Sequence, residues 1–177
     1  MLHLLPPPEY GKMSSHLFTL KEGDCLDMRG PVGRFKYHTN MYQTIGLVCG
    51  GTGLTPCLQV IRVILEGSSA AQEQTNLVLL YQNRTEEDIL MKECLCELQK
   101  SFPNRLQVYF FLSSPPSDWG QVSNDRCGYI SEDSMRTLLP HASTDFVGLC
   151  GPSGFNEAMV AKLETVGFDK ESELYVW

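Results

Sequence analysis

Two short segments of this sequence carry residue types suited to more than packing. The first is Gly50-Gly51-Thr52-Gly53-Leu54-Thr55-Pro56. Glycines let a backbone turn tightly and lie against phosphate oxygens with no Cβ in the way. Free amides and the positive end of a following helix then favour the anion. Pro56 suits the first helical turn, where a missing N–H is no loss. The chemistry is that of a pyrophosphate cradle. The spacing Gly51-x-Gly53-x-x-Pro56 departs from the ordinary dinucleotide fingerprint at its third glycine. A glycine-rich turn without a ligand is the alternative. The second segment is Cys150-Gly151-Pro152-Ser153-Gly154-Phe155, a thiol at the end of an apolar run followed by a rigid turn that could face a flat ring. A cysteine there is also, more simply, a small core residue.

Both segments need elements to hold them. Ile45-Gly46-Leu47-Val48-Cys49 is a continuous apolar run, as expected of a strand covered on both faces. Leu54, Leu58, Ile61 and Leu65 then recur at helical spacing. Leu77 to Tyr81 and Leu106 to Leu112 read as further strands, Phe146 to Cys150 as a fourth and Leu174 to Trp177 as a last one. Between them, Thr85-Glu86-Glu87-Asp88 reads as a capping box opening a helix to about Lys100. Ser131 caps a short helix through Leu139, and another helix follows Cys150 as far as Glu164. Alternating strands and helices predict an α/β fold, a doubly wound parallel sheet with helices on both faces. Ligands sit beyond the carboxyl ends of such strands, where strand order reverses. If the first and fourth strands are neighbours, both loops open on one crevice. Ahead of Thr44, Pro6 to Gly11 reads as a loop, Ser14 to Leu20 as a helical turn, and Asp24-Cys25-Leu26-Asp27-Met28 as a half-buried strand.

The bulk numbers exclude several classes. A net charge of −7 argues against nucleic acid, which needs clustered Lys and Arg. The seven cysteines are odd in number and irregular in spacing, which reads as reduced thiols. No apolar run reaches the roughly 18 residues of a membrane span. His3, His16, His38 and His141 have no metal-type spacing, so no metal is expected. A soluble cytoplasmic protein, or the soluble part of a longer one on the cytosolic face of a membrane, is the expectation.

Five segments in order along the chain resemble the NADH–cytochrome b5 reductase family, in its reductase-like branch, within the ferredoxin–NADP reductase superfamily. They are Gly11-Lys12-Met13-Ser14, Arg29-Gly30-Pro31-Val32-Gly33, Gly50 to Pro56, Asn83-Arg84-Thr85-Glu86-Glu87-Asp88-Ile89-Leu90 and Cys150-Gly151-Pro152. The resemblance implies a five-stranded sheet in the order 3-2-1-4-5 over residues 43–177, preceded over residues 1–42 by the remnant of a flavin-binding β-barrel. It implies a flavin-dependent NAD(P)H oxidoreductase that moves a hydride from nicotinamide to FAD and electrons on to a haem protein such as cytochrome b5. Gly50, Gly51, Thr52 and Gly53 would then hold the dinucleotide, with Pro56 in place of the third glycine and Thr55 also near the flavin. Cys150 would lie beside the nicotinamide as a support for geometry, in a pocket shaped by Gly151 and Pro152. Gly11, Lys12, Met13 and Ser14 would bind the FAD pyrophosphate.

Two departures from the family pattern matter. The strand with an Arg-x-Tyr-Ser/Thr pattern that grips the flavin is absent, so the chain looks truncated at its amino end. That leaves a second reading open: a truncated non-catalytic isoform that binds nucleotide or partners without flavin turnover; in either reading the chain is expected to be a monomer. The other departure is Ser113, which stands where NADH-selective members carry an acid. Such an acid bonds the ribose hydroxyls and repels a 2′-phosphate, so the choice between NAD(H) and NADP(H) stays open. Thr85 and Asn83 reach the ribose if their strand end faces the crevice, and Trp119 and Tyr129 either flank the adenine or only pack.

Overall fold

A computed structural model describes residues 11–30, 33, 35–67, 69–120, 124–139 and 141–177, with Ser14 described by its backbone alone. The chain divides into two compact units, Met1–Arg34 and Phe35–Trp177. In the first, helix α1 (Lys12–Thr19) begins at Gly11, whose carbonyl accepts from the Ser15 amide at 2.8 Å. Met13, Leu17 and Phe18 on this helix are exposed. The strand expected over Asp24–Met28 does not form; these residues are exposed, and alternation without a paired neighbour makes no ladder. Pro31 and Val32 of the Arg29 to Gly33 motif lie outside the described residues.

The second unit is built on one parallel sheet. Strands β1 (Thr44–Gly50), β2 (Asn76–Asn83), β3 (Leu106–Leu112), β4 (Asp125–Cys127), β5 (Phe146–Cys150) and β6 (Leu174–Val176) lie in the order β4-β3-β2-β1-β5-β6. The sheet thus has six strands rather than the expected five. The addition is β4, an Asp-Arg-Cys triplet without an apolar pattern, held at the edge by backbone pairing of Asp125 to Cys127 with Phe110 to Leu112. The other five strands keep the expected order. β1 is central, paired residue by residue with β2 on one side and β5 on the other, and six of its seven residues are buried, which is why it reads as unbroken apolar sequence.

Helices cover both faces. α2 (Leu54–Glu66) and α3 (Lys92–Ser101) bury Cys57, Ile61, Ile64, Leu65, Leu95 and Leu98 against one face with Ile45, Leu47, Leu79 and Val108. α4 (Glu132–Leu138) and α5 (Ser153–Thr165) bury Met135, Met159 and Leu163 against the other with Val48, Leu80, Phe111 and Leu149. Ser131 caps α4 as expected, its side chain accepting from the Ser134 amide. The helix expected from Thr85 to Lys100 is broken. The capping box closes on a single 3-10 turn, Glu86–Asp88, after which Met91 adopts a left-handed conformation (φ 56°) and α3 begins at Lys92. Ile89 turns inward in between, 7% exposed in the core.

Phe35, Tyr37 and Tyr42 pack onto this same core ahead of β1. Buried Glu73 anchors the stretch: it accepts from the Tyr37 hydroxyl at 2.6 Å, the Asn40 amide at 3.2 Å and the Thr75 amide at 3.0 Å. Trp177 closes the other side, stacked edge-on to Phe35 and Tyr175 and pressed on Gly148, where a Cβ would come within 2.6 Å of its ring. The terminal aromatic thus completes an edge of the core.

Candidate active site at the strand ends

Strand order reverses on either side of β1, and a cleft of about 660 Å³ opens beyond the carboxyl ends of β1, β2, β3 and β5. Its floor is the turn leaving β1. Gly50 ends the strand, Gly51–Gly53 form one 3-10 turn, and α2 starts at Leu54. Gly51 has φ 54°, a backbone state that L side chains rarely adopt. Gly53 is required for a different reason. A Cβ there would lie 2.2 Å from the Cys150 carbonyl oxygen and 2.9 Å from the Gly151 nitrogen, both backbone atoms. The two loops singled out by sequence therefore touch, main chain on main chain, as the pairing of Cys49 with Cys150 across β1 and β5 requires.

The Phe155 ring is the second fastener. It lies over Gly50 and Gly151, where Cβ atoms would fall 3.3 Å and 2.5 Å from ring carbons. Tyr81 is the third. Its hydroxyl, at the end of a wholly buried side chain, donates to the Gly51 carbonyl at 3.0 Å and accepts from the Leu90 amide at 3.3 Å. Burial first, and then Cys49, push this phenol up to about 12, so it stays a neutral donor. Gln82, also buried, donates to the carbonyls of Asn83, Phe111 and Gly128 and accepts from the Ile130 amide at 2.9 Å. It thereby fixes the segment that presents Tyr129, 72% exposed, at the rim.

Beyond Gln82 the wall changes character. Asn83 is only 6% exposed and lines the cleft, yet neither amide atom has a hydrogen-bond partner. A buried orphan of this kind costs about 1–3 kcal/mol unless something completes it. The strand pairing runs on past β2 and β3, with the Ser113 amide on the Asn83 carbonyl at 3.1 Å and the Ser114 amide on the Arg84 carbonyl at 2.8 Å. Ser113 and Arg84 are thus fixed side by side on the cleft wall.

Of the residues expected at the site, Gly50, Gly51, Thr52, Ser113 and Pro152 line the cleft. Gly53, Cys150 and Gly151 form the contact beneath it. Exposed Thr55 turns its hydroxyl back to the Thr52 carbonyl at 3.3 Å, and Pro56 sits in the first turn of α2. Gly11, Lys12, Met13 and Ser14 belong to the other compact unit, at the start of α1. Of the two aromatics weighed for the adenine, Tyr129 is at the cleft. Trp119 is not among the residues lining it; it packs on the core, donates to the Arg126 carbonyl at 3.1 Å and lies under the Lys92 ammonium. Tyr81, Gln82, Arg84 and Phe155 escape a sequence reading of the site. Three of them follow the apolar stretch of β2, where a run of Tyr-Gln-Asn-Arg is the visible signal.

Buried Cys49 and half-buried Cys150 are held as neutral thiols. Burial, and then contact with Cys57, raise Cys49 well above its ordinary value, and burial with Cys57 nearby raises Cys150 as well. Cys150 is consequently a weak nucleophile. The site can therefore bind, orient and exclude water; it carries no activated nucleophile.

Residues 47–161 match the family model for the oxidoreductase NAD-binding domain, and residues 3–37 match that for the oxidoreductase FAD-binding domain. The chain is 40% identical over 170 residues to NADH-cytochrome b5 reductase 1 of Dictyostelium discoideum, covering 96% of this chain and 56% of that protein. It is 40% identical over 162 residues to NADH-cytochrome b5 reductase 1 of Homo sapiens, covering 82% and 51%. It thus spans about half the length of these relatives. Among solved structures, the cytochrome b5 reductase domain of Ulva prolifera nitrate reductase superposes with a TM-score of 0.81 at 32% identity, over 94% of this chain and 66% of that one. No helix among the described residues is long and apolar enough to cross a membrane. With its two-loop cleft at the sheet's switch point and these matches, the chain belongs to the NADH–cytochrome b5 reductase family.

Proposed function

We propose that this chain is the nucleotide-binding portion of a flavin-dependent NAD(P)H oxidoreductase of the cytochrome b5 reductase type. Residues 43–177 would form the nucleotide domain and residues 1–42 the end of the flavin-binding barrel. The observation that carries the reading is the close contact of Gly53 with Cys150 and Gly151. It joins a pyrophosphate-type turn and a flat-ring turn into one cleft. Gly50, Gly51, Thr52 and Gly53 hold the pyrophosphate through main-chain amides at the head of α2, with Pro56 in its first turn. Cys150, Gly151 and Pro152 frame the nicotinamide end, the protonated Cys150 thiol acting through shape. The orphaned Asn83 amide supplies partners for a ribose. Thr55 stands near the flavin, and Gly11, Lys12, Met13 and Ser14 hold the FAD pyrophosphate at the start of α1.

Bound FAD would supply the hydride-accepting and one-electron-releasing chemistry. The chain's own residues orient the nicotinamide and keep water from it. The acceptor in this reading is a haem protein such as cytochrome b5, as the names of the relatives suggest. A second reading is a non-catalytic form that keeps the nucleotide cleft without flavin turnover.

Calorimetric titration with NADH and an absorbance spectrum with added FAD test both. Nucleotide binding together with a flavin band that bleaches on adding NADH supports the reductase reading. NADH binding without any flavin band supports the second reading. Absence of NADH binding refutes both.

A further inference from the structure

Three thiols meet beneath the floor of the cleft. Cys49 stands on β1 one residue before Gly50, and its partner across the parallel pairing with β5 is Cys150. In-register residues of neighbouring strands point to the same face of a sheet. That face is the one covered by α2, because Cys49 shares a core cluster with Cys57, Ile61 and Leu65 of this helix. Cys57 lies in the first turn of α2, four residues on from Gly53, whose added Cβ would meet the Cys150 carbonyl. Positions four apart share one helix face, so Cys57 is turned toward the same strand ends. Cys49 and Cys57 are fully buried, whereas Cys150 is half-buried.

Geometry selects the pair. Neighbouring strands lie about 4.8 Å apart and a disulfide draws its Cβ atoms to about 3.8 Å, so joining Cys49 to Cys150 would pinch the sheet. Cys57 approaches from the helix layer, where no backbone ladder fixes the separation. It is also the one thiol of the cluster whose proximity raises Cys150. We propose that Cys57 and Cys150 form a reversible dithiol–disulfide pair, oxidised by hydrogen peroxide, that ties the head of α2 to the end of β5 under the cleft. The Cys150 sulfur, the one of the three with solvent access, attacks the peroxide. An S–O bond forms, the O–O bond breaks, and one water leaves with the thiol proton, giving a sulfenic acid. The Cys57 sulfur then attacks the Cys150 sulfur; the S–S bond forms, the S–O bond breaks, and the hydroxyl leaves with the Cys57 proton as a second water. Two thiols are oxidised and one peroxide is reduced to two waters. Cys150 is held neutral, so the first step is slow and the pair answers sustained peroxide rather than a brief pulse.

The test treats the folded 177-residue chain with hydrogen peroxide, blocks the remaining thiols and maps disulfides by tandem mass spectrometry without reduction. A Cys57–Cys150 link that dithiothreitol removes is expected, against mixed pairings when the chain is oxidised in urea. Closing a long loop restricts the unfolded chain, so the oxidised protein should unfold at higher urea than the reduced one. In Cys57→Ala the link and the midpoint shift should both vanish while Cys150 runs on to sulfinic acid; Cys49→Ala should keep both. Exposed Cys25 and Cys127 serve as internal comparisons, modified without a fixed partner. The inference is overturned if Cys150 stays a thiol, if it reaches sulfinic acid in the wild-type chain with no link to Cys57, or if it pairs with Cys49 instead. An equal yield of the link from the urea-unfolded chain overturns it too. No ligand enters these measurements, so the nucleotide reading stands or falls separately.

Discussion

Substituting single methyl groups into the glycine loop tests the site at its foundation. At Gly53 the added carbon of alanine would sit 2.2 Å from the Cys150 oxygen and 2.5 Å from its carbonyl carbon. Both are main-chain atoms of the strand paired with β1, so no rotamer change relieves the overlap. The loops must separate. Overpacking of well-packed interiors typically costs 1–3 kcal/mol, and the depth of this overlap on backbone puts Gly53→Ala at about 3 kcal/mol or above. Gly51 provides the contrast. Nothing lies within 4 Å of its added Cβ, but φ is 54°, so Gly51→Ala pays only the left-handed penalty of roughly 1–2 kcal/mol. Gly154, in the first turn of α5 with open space around it, should gain about 0.5–1 kcal/mol as alanine.

Urea unfolding followed by circular dichroism ranks the three, and NADH titration reads their effect on the cleft. The expected order of stability is Gly154→Ala above wild type, then Gly51→Ala, then Gly53→Ala. Of the three, Gly53→Ala should lose the most NADH affinity, because the two loops no longer share one floor. If Gly53→Ala unfolds within about 1 kcal/mol of wild type and binds NADH equally well, the loops are not in contact and the argument for a joint site collapses.

Two further perturbations follow from buried polar groups. Tyr81→Phe leaves the Gly51 carbonyl and the Leu90 amide without their shared partner, so stability should fall by about 1–2 kcal/mol in urea titrations, with weaker NADH binding; unchanged binding would remove Tyr81 from the positioning set. At Glu73, burial raises the carboxyl, but donors from Tyr37, Thr75 and Asn40 outweigh it and hold the group below its ordinary value. A depressed folded pKa gives stability that is present above the unfolded value, about 4.3, and lost as pH falls through the folded one. Glu73→Gln should therefore cost about 2 kcal/mol near neutral pH, and the gap to wild type should close on acidification below about pH 4, whereas a constant gap would show that the carboxylate's charge plays no part.

Much of the fold was legible because its parts obey local rules. A strand buried on both faces, such as β1, is apolar throughout, and α2 repeats its buried positions at helical spacing. The sequence also betrayed both loops, since a turn against phosphate and a close backbone approach admit glycine almost alone. What escaped depends on tertiary context. β4 is held by an edge that supplies the pairing, whatever its own side chains. The helix break at Met91 follows from burying Ile89, which no local preference encodes. Tyr81 and Gln82 look like the tail of a strand until the sheet sets them under Gly51 and beside Ile130.

The same logic applies to the wall beyond β2, where polar side chains line the cleft. The floor is backbone, and backbone amides meet a pyrophosphate alike in every dinucleotide. Discrimination needs side chains at strand ends, where orientation is set by register rather than by helix or turn propensity. Here the register continues two residues past the strands, through Ser113 on Asn83 and Ser114 on Arg84. That extension converts a polar, loop-like stretch of sequence into a cleft wall on which Asn83, Arg84 and Ser113 stand together.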